Sequence, residues 1–273
     1  MSDTMPVPEQ EMQRDSKKNR LYVALLKDKN YLSILSVVLI LVLWFVITSL
    51  ELVRFMPTPQ SVIMALFKIG SQLKNHIMDS LVRVFAGFTL GCVTGIIVGI
   101  AISWNKTLGK LFDPLVEFFR PMPPLALIPL FIIWFGIGNS SKILLIAFGC
   151  WVNMVVITAE ATRNVDPLYV NAARTLGANN RQTMLHIVLP ALVPGVVAGI
   201  RTAVVVAFGM DVAAEFMGTN SGLGYIIIEG RRFIRMDLIF LGILLITVLS
   251  MLTNTLVRLV EGRLTRWVPR RNE

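Results

Sequence analysis

The chain has too little polar material for a soluble domain of its length. Charged residues make up 16% of 273 positions, against 55% hydrophobic residues and a mean hydropathy of +0.68. That balance excludes a water-facing globule. Cysteine is scarce too: Cys92 and Cys150 stand in apolar sequence, which excludes a disulfide framework and reads as packing. His76 and His186 are isolated, with no cysteine or carboxylate at ligand spacing, so neither is a metal or catalytic candidate. A phosphate-binding loop is missing, because Gly109-Lys110 is followed by Leu111 and has no upstream glycine. No pairing of nucleophile and base and no cofactor motif points to an enzyme. The N-terminal residues have mixed charge and lack the short apolar region and cleavage site of a signal peptide. Residues 1–30 are therefore expected to form a cytosolic tail, and the first hydrophobic segment to remain as an anchor.

What the chain has in abundance is long apolar runs, which predict an all-α membrane protein with about six transmembrane helices. A bilayer core of roughly 30 Å needs about 20 helical residues. Leu32–Leu50 meets this, and with the Pro57/Pro59 breaker cluster and an amphipathic, interfacial run over 62–73 it makes up a segment 31–79. A core transmembrane domain is expected over 80–262 and a basic tail over 263–273, with Arg263, Arg266, Arg270 and Arg271.

The second span, 80–104, carries Gly87, Gly91, Gly95 and Gly99 on one face. Such a face lets another backbone approach closely, within the subunit or across a subunit interface. A polar turn over 105–110 leads to a third span, 111–137, where Arg120, Pro121, Pro123 and Pro124 require a kink or interruption. Ser140 and Ser141 are placed to cap a fourth span over 142–162. The fifth, 191–214, contains Gly195, Gly199 and Arg201. A glycine-bearing polar loop with Asn220, Ser221, Gly222 and Gly224, then Arg231, Arg232 and Arg235, precedes the last span over 238–259.

Charge fixes the expected orientation. With both termini cytosolic, that side collects the N-terminal basic cluster, Lys106, Lys110, Arg163, Arg174, Arg181 and the C-terminal arginines. Arg54, Lys68, Lys74 and the trio Arg231, Arg232 and Arg235 are left outside. Topology accounts for most of the +9 net charge, so a nucleic-acid partner is set aside.

The stretch from Asn171 to Pro190, NAARTLGANNRQTMLHIVLP, then falls in the cytosolic loop between the fourth and fifth spans. Asp166 can cap a short helix with Pro167 in its first turn, and Gly177 can end it in a left-handed conformation. Asn179 and Gln182 have capping-box spacing for a second helix along the membrane surface, with Pro190 and Pro194 marking its passage into the fifth span.

In this register the chain resembles the importer-type permease subunits of ATP-binding-cassette transporters. Their cytosolic signature is matched by Ala172, Ala173, Gly177, Ile187, Leu189 and Pro190, with Asn171 in place of the leading glutamate. The segments RPMPPLALIPLFIIWFGIGNSSKILLI and AEFMGTNSGLGYII look like the branch that imports sulfonates, taurine, nitrate and related anions. The resemblance implies a type I importer permease fold with a cytosolic coupling helix, in the bacterial inner membrane. It also implies a homodimer, two ATPase subunits that carry ATP and Mg²⁺, and an extracytoplasmic substrate-binding protein. The permease itself would be non-catalytic and without a cofactor. Coupling is expected to rest on Gly177 and the packing of Ala172 and Ala173 rather than on a salt bridge from position 171.

Arg120, Arg201, Asp211 and Glu215 are the candidate pathway or gating residues. Arg201 could attract an anion, or pair with Glu117 or Glu160. Asp211 and Glu215, nearer the outer end, would oppose an anion and suit structural or gating roles. Arg231, Arg232 and Arg235 could dock an acidic lobe of the binding protein, raise the local anion concentration, or be a solvated basic loop. Three alternatives compete: the same transporter class with a neutral or cationic vitamin precursor as cargo, an ion-coupled secondary carrier, and a membrane enzyme. The carrier would show inverted repeats and acidic or histidine relays.

Overall fold

The computed structural model describes residues 29–53 and 55–264. The greater part of the N-terminal tail, Arg54, and Arg266, Arg270 and Arg271 lie outside the described residues. Two compact units divide at Ser61/Val62. The first contains α1 (Lys29–Ser49), whose side chains from Ile34 onward are mostly exposed, as suits a helix facing hydrocarbon. Trp44 Nε1 donates to the carbonyl of Pro57 at 3.1 Å, which ties the end of α1 to the proline cluster. A helix α2 (Pro59–Ile69) follows.

The second unit contains α3 (Gln72–Trp104), α4 (Lys106–Phe119), a 3₁₀ turn (Pro124–Leu127), α5 (Ile128–Phe135) and α6 (Asn139–Arg163). Next come α7 (Pro167–Thr175), α8 (Asn180–Thr183), a π turn (Met184–Val188), α9 (Leu189–Phe216), α10 (Leu223–Arg232) and α11 (Met236–Leu264). Among the described residues, four helical stretches are long and apolar enough to cross a bilayer: α3, α6, the run Asn180–Phe216, and Met236–Arg263. The pair Thr107–Phe119 and Pro124–Phe135, bent by 85°, makes a fifth if taken as one span. Within α1, Ile34–Ser49 is a shorter apolar helix, so the described residues show four spans, or five with the bent pair, against the six expected.

The fourth span, α6, is the hub. Its Leu145, Ile146, Cys150, Met154, Val155 and Thr158 are all buried. On one side it receives the glycine face of α3: a Cβ on Gly87 would stand 2.6 Å from Ile146 Cβ, and one on Gly99 2.8 Å from Thr158 Cβ. Of the two uses open to that face, packing within the subunit is the one observed. On the other side, Gly199 and Gly195 of α9 meet Ile157 and Ala161 in the same way. Hydrocarbon gives no hydrophobic drive for helix association, so this close backbone approach and its van der Waals contact hold the three helices together.

Several boundaries differ from the hydropathy reading, each for a local reason. The second span begins at Gln72, because Gln72, Lys74, Asn75 and Asp79 interrupt the apolar run without breaking the helix. The expected polar turn over 105–110 is the start of α4, with Asn105 Oδ1 accepting from the amides of Thr107 (2.9 Å) and Leu108 (3.3 Å). Ser140 and Ser141 do not cap α6. They lie inside it, with Gly138 at the cap position, and Ser141 Oγ donates instead to the Gly138 carbonyl at 3.0 Å. The loop before the last span is largely helical, as α10.

Candidate functional site: coupling segment, cleft and outer charge cluster

The candidate coupling segment is built from local signals. Asp166 accepts from the Leu168 amide at 2.8 Å, and Pro167 fills the first turn of α7, where a missing N–H costs nothing. Gly177, at φ +86, ends the helix: its amide donates to the Arg174 carbonyl and that of Ala178 to the Ala173 carbonyl, both at 3.0 Å. This is the paired-bond closure that a left-handed residue after a helix permits. The capping box of α8 is complete, with Gln182 N to Asn179 Oδ1 at 2.8 Å and Asn179 N to Gln182 Oε1 at 2.9 Å.

Only Ala173 of the alanine pair is buried within the chain; Ala172 is exposed, because consecutive helical residues point in different directions. Asn171, Gly177 and Pro190 are exposed, and Ile187 and Leu189 half-buried. The face turned outward carries Leu168, Tyr169 and Leu176, the last 88% exposed. These apolar side chains, at the edge of the signature and inside it, carry no mark in the sequence that distinguishes them from buried ones.

The second helix of the segment does not lie apart from the fifth span. α8, the π turn and α9 run as one helix from Asn180 to Phe216. Pro190 has no amide to give and its ring crowds the preceding turn; the wider π turn, closed by Leu189 N to Met184 O, absorbs that defect and keeps the helix continuous.

At the 85° bend, Arg120 lines a cleft of about 550 Å³ together with Met122, Pro124, Asn153, Val206 and Met210. Its guanidinium is shared by two carboxylates, Glu160 at 3.3 Å and Glu117 at 3.9 Å. Asp113 and Arg163 pair close by at 2.7 Å. Arg201 pairs with neither Glu117 nor Glu160. It reaches Glu261 on α11 at 3.5 Å, and Glu160 is taken by Arg120. Sequence alone does not say which helix flanks that side of the fifth span.

Asp211 and Glu215 line no part of this cleft; they are 2% and 0% exposed. Both face Arg83 of α3, itself 2% exposed, with Arg83 Nε to Asp211 Oδ1 at 3.5 Å and Arg83 Nη2 bonded to Glu215 Oε1. Ser80 Oγ donates to the same carboxylate oxygen at 2.7 Å and accepts from the Leu223 amide at 2.9 Å. The Gly224 amide donates to Glu215 Oε2. Arg83 also reaches Asn139 Oδ1 and the Ser221 carbonyl, each at 3.1 Å, while the Gly222 amide donates to His76 Nδ1 at 3.1 Å. Gly222, at φ +127, leaves the space that a Cβ would take from Glu215 and Arg83. The loop between α9 and α10 is thus bound to α3 through a buried network in which one guanidinium faces two carboxylates. Arg83 escaped the sequence reading because one arginine near a helix end is ordinary.

Arg231 and Arg232 are exposed beside Phe233 and Ile234, whereas Arg235 is held by Asp237 at 2.8 Å.

Residues 91–266 match the family described as "Binding-protein-dependent transport system inner membrane component". The chain belongs to this family. Its similarity to curated members extends further: it is 33% identical over 245 residues to the taurine transport system permease protein TauC of Escherichia coli (strain K12), covering 86% of this chain and 89% of that one. To the putative aliphatic sulfonates transport permease protein SsuC of Bacillus subtilis (strain 168) it is 36% identical, covering 84% of each. Among solved structures, a chain of the inward-facing MetNI methionine ABC transporter matches 74% of this chain and 99% of its own length, with a TM-score of 0.62 at 21% identity. A chain of a bacterial ABC transporter involved in import of the acidic polysaccharide alginate matches 90% and 99%, with a TM-score of 0.61 at 15% identity. The all-α type I importer permease fold is therefore established, and this permease is a non-catalytic, multi-pass inner-membrane subunit of an ATP-binding-cassette importer. Membership in a binding-protein-dependent system implies an ATPase and a substrate-binding protein as partners.

Proposed function

We infer that the permease forms one half of the translocation pathway for a small organic anion of the sulfonate or taurine type. The observation that carries this is the similarity, across more than four-fifths of the chain, to permeases named for taurine and aliphatic sulfonates. Two identical copies would enclose the pathway, each seating α7 on one of two ATPase subunits that bind ATP and Mg²⁺. Leu168, Tyr169 and Leu176 supply the apolar contact; Ala173 and Gly177 fix the angle at which it is presented.

The basic residues that flank the spans on one side support a cytosolic position for both termini. The binding protein docks on the opposite face through Arg231 and Arg232. Arg120 is a pathway residue, and Asp211 and Glu215 are gating residues that act by holding the outer loop.

Copurification of the assembled transporter with its binding protein, followed by mass spectrometry of the released ligand, tests the cargo. A sulfonate is expected; a neutral or cationic vitamin precursor would overturn the assignment. Subunit stoichiometry of the same complex by native mass spectrometry should give two copies of this chain.

A further inference from the structure

Asn153 stands near the middle of the 25-residue α6, and Thr202 near the middle of the 28-residue α9. At 1.5 Å per residue both lie close to the bilayer midplane. Asn153 faces the cleft at the bend, whose other lining at this depth is Gly149, Val152, Val156, Val206 and Gly209. Its side-chain oxygen accepts a long bond of 3.4 Å from Thr202 Oγ1, and its two amide hydrogens have no protein partner among the described residues. A donor without an acceptor is costly at this depth, so polar groups placed there face a wet cavity or a ligand. The charged candidates are engaged elsewhere: Arg201 with Glu261, and Arg120 with two carboxylates.

We propose that Asn153, with Thr202 beside it, is the solute-selecting station of the pathway, donating neutral hydrogen bonds to the oxygens of a passing sulfonate. This rests on the anionic cargo inferred above. A fixed, unpaired cation at mid-depth would bind an anion and retain it, whereas transport needs a site strong enough to admit the solute and weak enough to release it. An amide provides two donors and no charge. Thr202 has a nearer acceptor in the Gly199 carbonyl at 2.8 Å, so its single hydroxyl hydrogen does not hold Asn153 in place, and the amide is free to turn its two donors toward a sulfonate.

The test is uptake of radiolabelled taurine and methanesulfonate into proteoliposomes that contain the complete transporter and its binding protein. Asn153→Asp keeps the shape but exchanges the donors for a negative charge. It should lower uptake at least about tenfold, the scale of losing hydrogen bonds to a charged partner. Assembly with the ATPase, read by copurification, should persist. Asn153→Gln, which keeps the donors, should recover part of the rate and shift the ratio of taurine to methanesulfonate uptake. Wild-type uptake by Asn153→Asp overturns the proposal. So does an equal loss in both variants with an unchanged solute ratio, since that is the mark of a merely structural amide. If the wild-type transporter carries neither probe, the cargo assignment fails, and this station falls with it.

Discussion

Glu215 shows how much a single buried carboxylate can hold. Its two oxygens accept from Arg83, Ser80 and the Gly224 amide, so each end is already matched to donors. In Glu215→Gln one of those oxygens becomes an NH₂ group facing a donor, and Arg83 loses its closest counter-charge. Removing one member of a buried ion pair costs about 3–5 kcal/mol. The variant should show a clearly lower unfolding temperature in detergent, with the outer loop, including Phe216 and Met217, more open to proteolysis. An unchanged unfolding temperature would show that the network contributes nothing to the fold. The intact network does little more than offset its own desolvation, and its chief effect is to leave the loop a single position against α3.

Among the elements, α7 can play the coupling role proposed for it only if it keeps its angle. Gly177 closes it in the left-handed region, where an L side chain costs about 1–2 kcal/mol and a β-branched one strains further. A Cβ there would meet nothing within 4 Å, so Gly177→Val should disturb the turn without disturbing the core. The expected result is a folded permease whose ATP-driven uptake is strongly reduced; full uptake would mean that the turn angle does not matter for coupling.

This element was also the most legible in the sequence. Asp166, Pro167, Gly177, Asn179 and Gln182 act through their own neighbours, so spacing alone reveals their bonds. The glycine face of α3 was legible as a contact surface but not as to its partner, because that is decided by which helix packs there. Arg201 and Arg83 were opaque for the same reason: Glu261 and Glu215 lie far from them along the chain. Helix starts at polar residues, such as Gln72 and Lys106, were misread because hydropathy measures burial in lipid and not helix continuity.

For the whole molecule, the two faces of the membrane ask for different chemistry. In the proposed orientation the inner face offers exposed apolar side chains on α7, whereas the outer offers Arg231 and Arg232 beside Phe233 and Ile234. If the outer arginines meet an acidic lobe, Arg231→Glu together with Arg232→Glu should slow association of the binding protein. The difference from wild type should shrink as salt rises toward 1 M, where the screening length falls to about 3 Å. Equal association rates at low salt would remove these residues from the docking surface. Arg235 is left out of the test because Asp237 already holds it.

The continuity of the helix from Asn180 to Phe216 has a thermodynamic consequence. At 37 residues it is about 55 Å long, and it carries the α8 cap at one end and Glu215 at the other. A stiff member joined at both ends gives the outer and inner surfaces one shared equilibrium. A ligand outside that favours one position of the rod by a given factor must change the affinity of an inner partner for that position by the same factor. Measured as two binding isotherms, each with and without the other partner, the coupling should be equal in both directions.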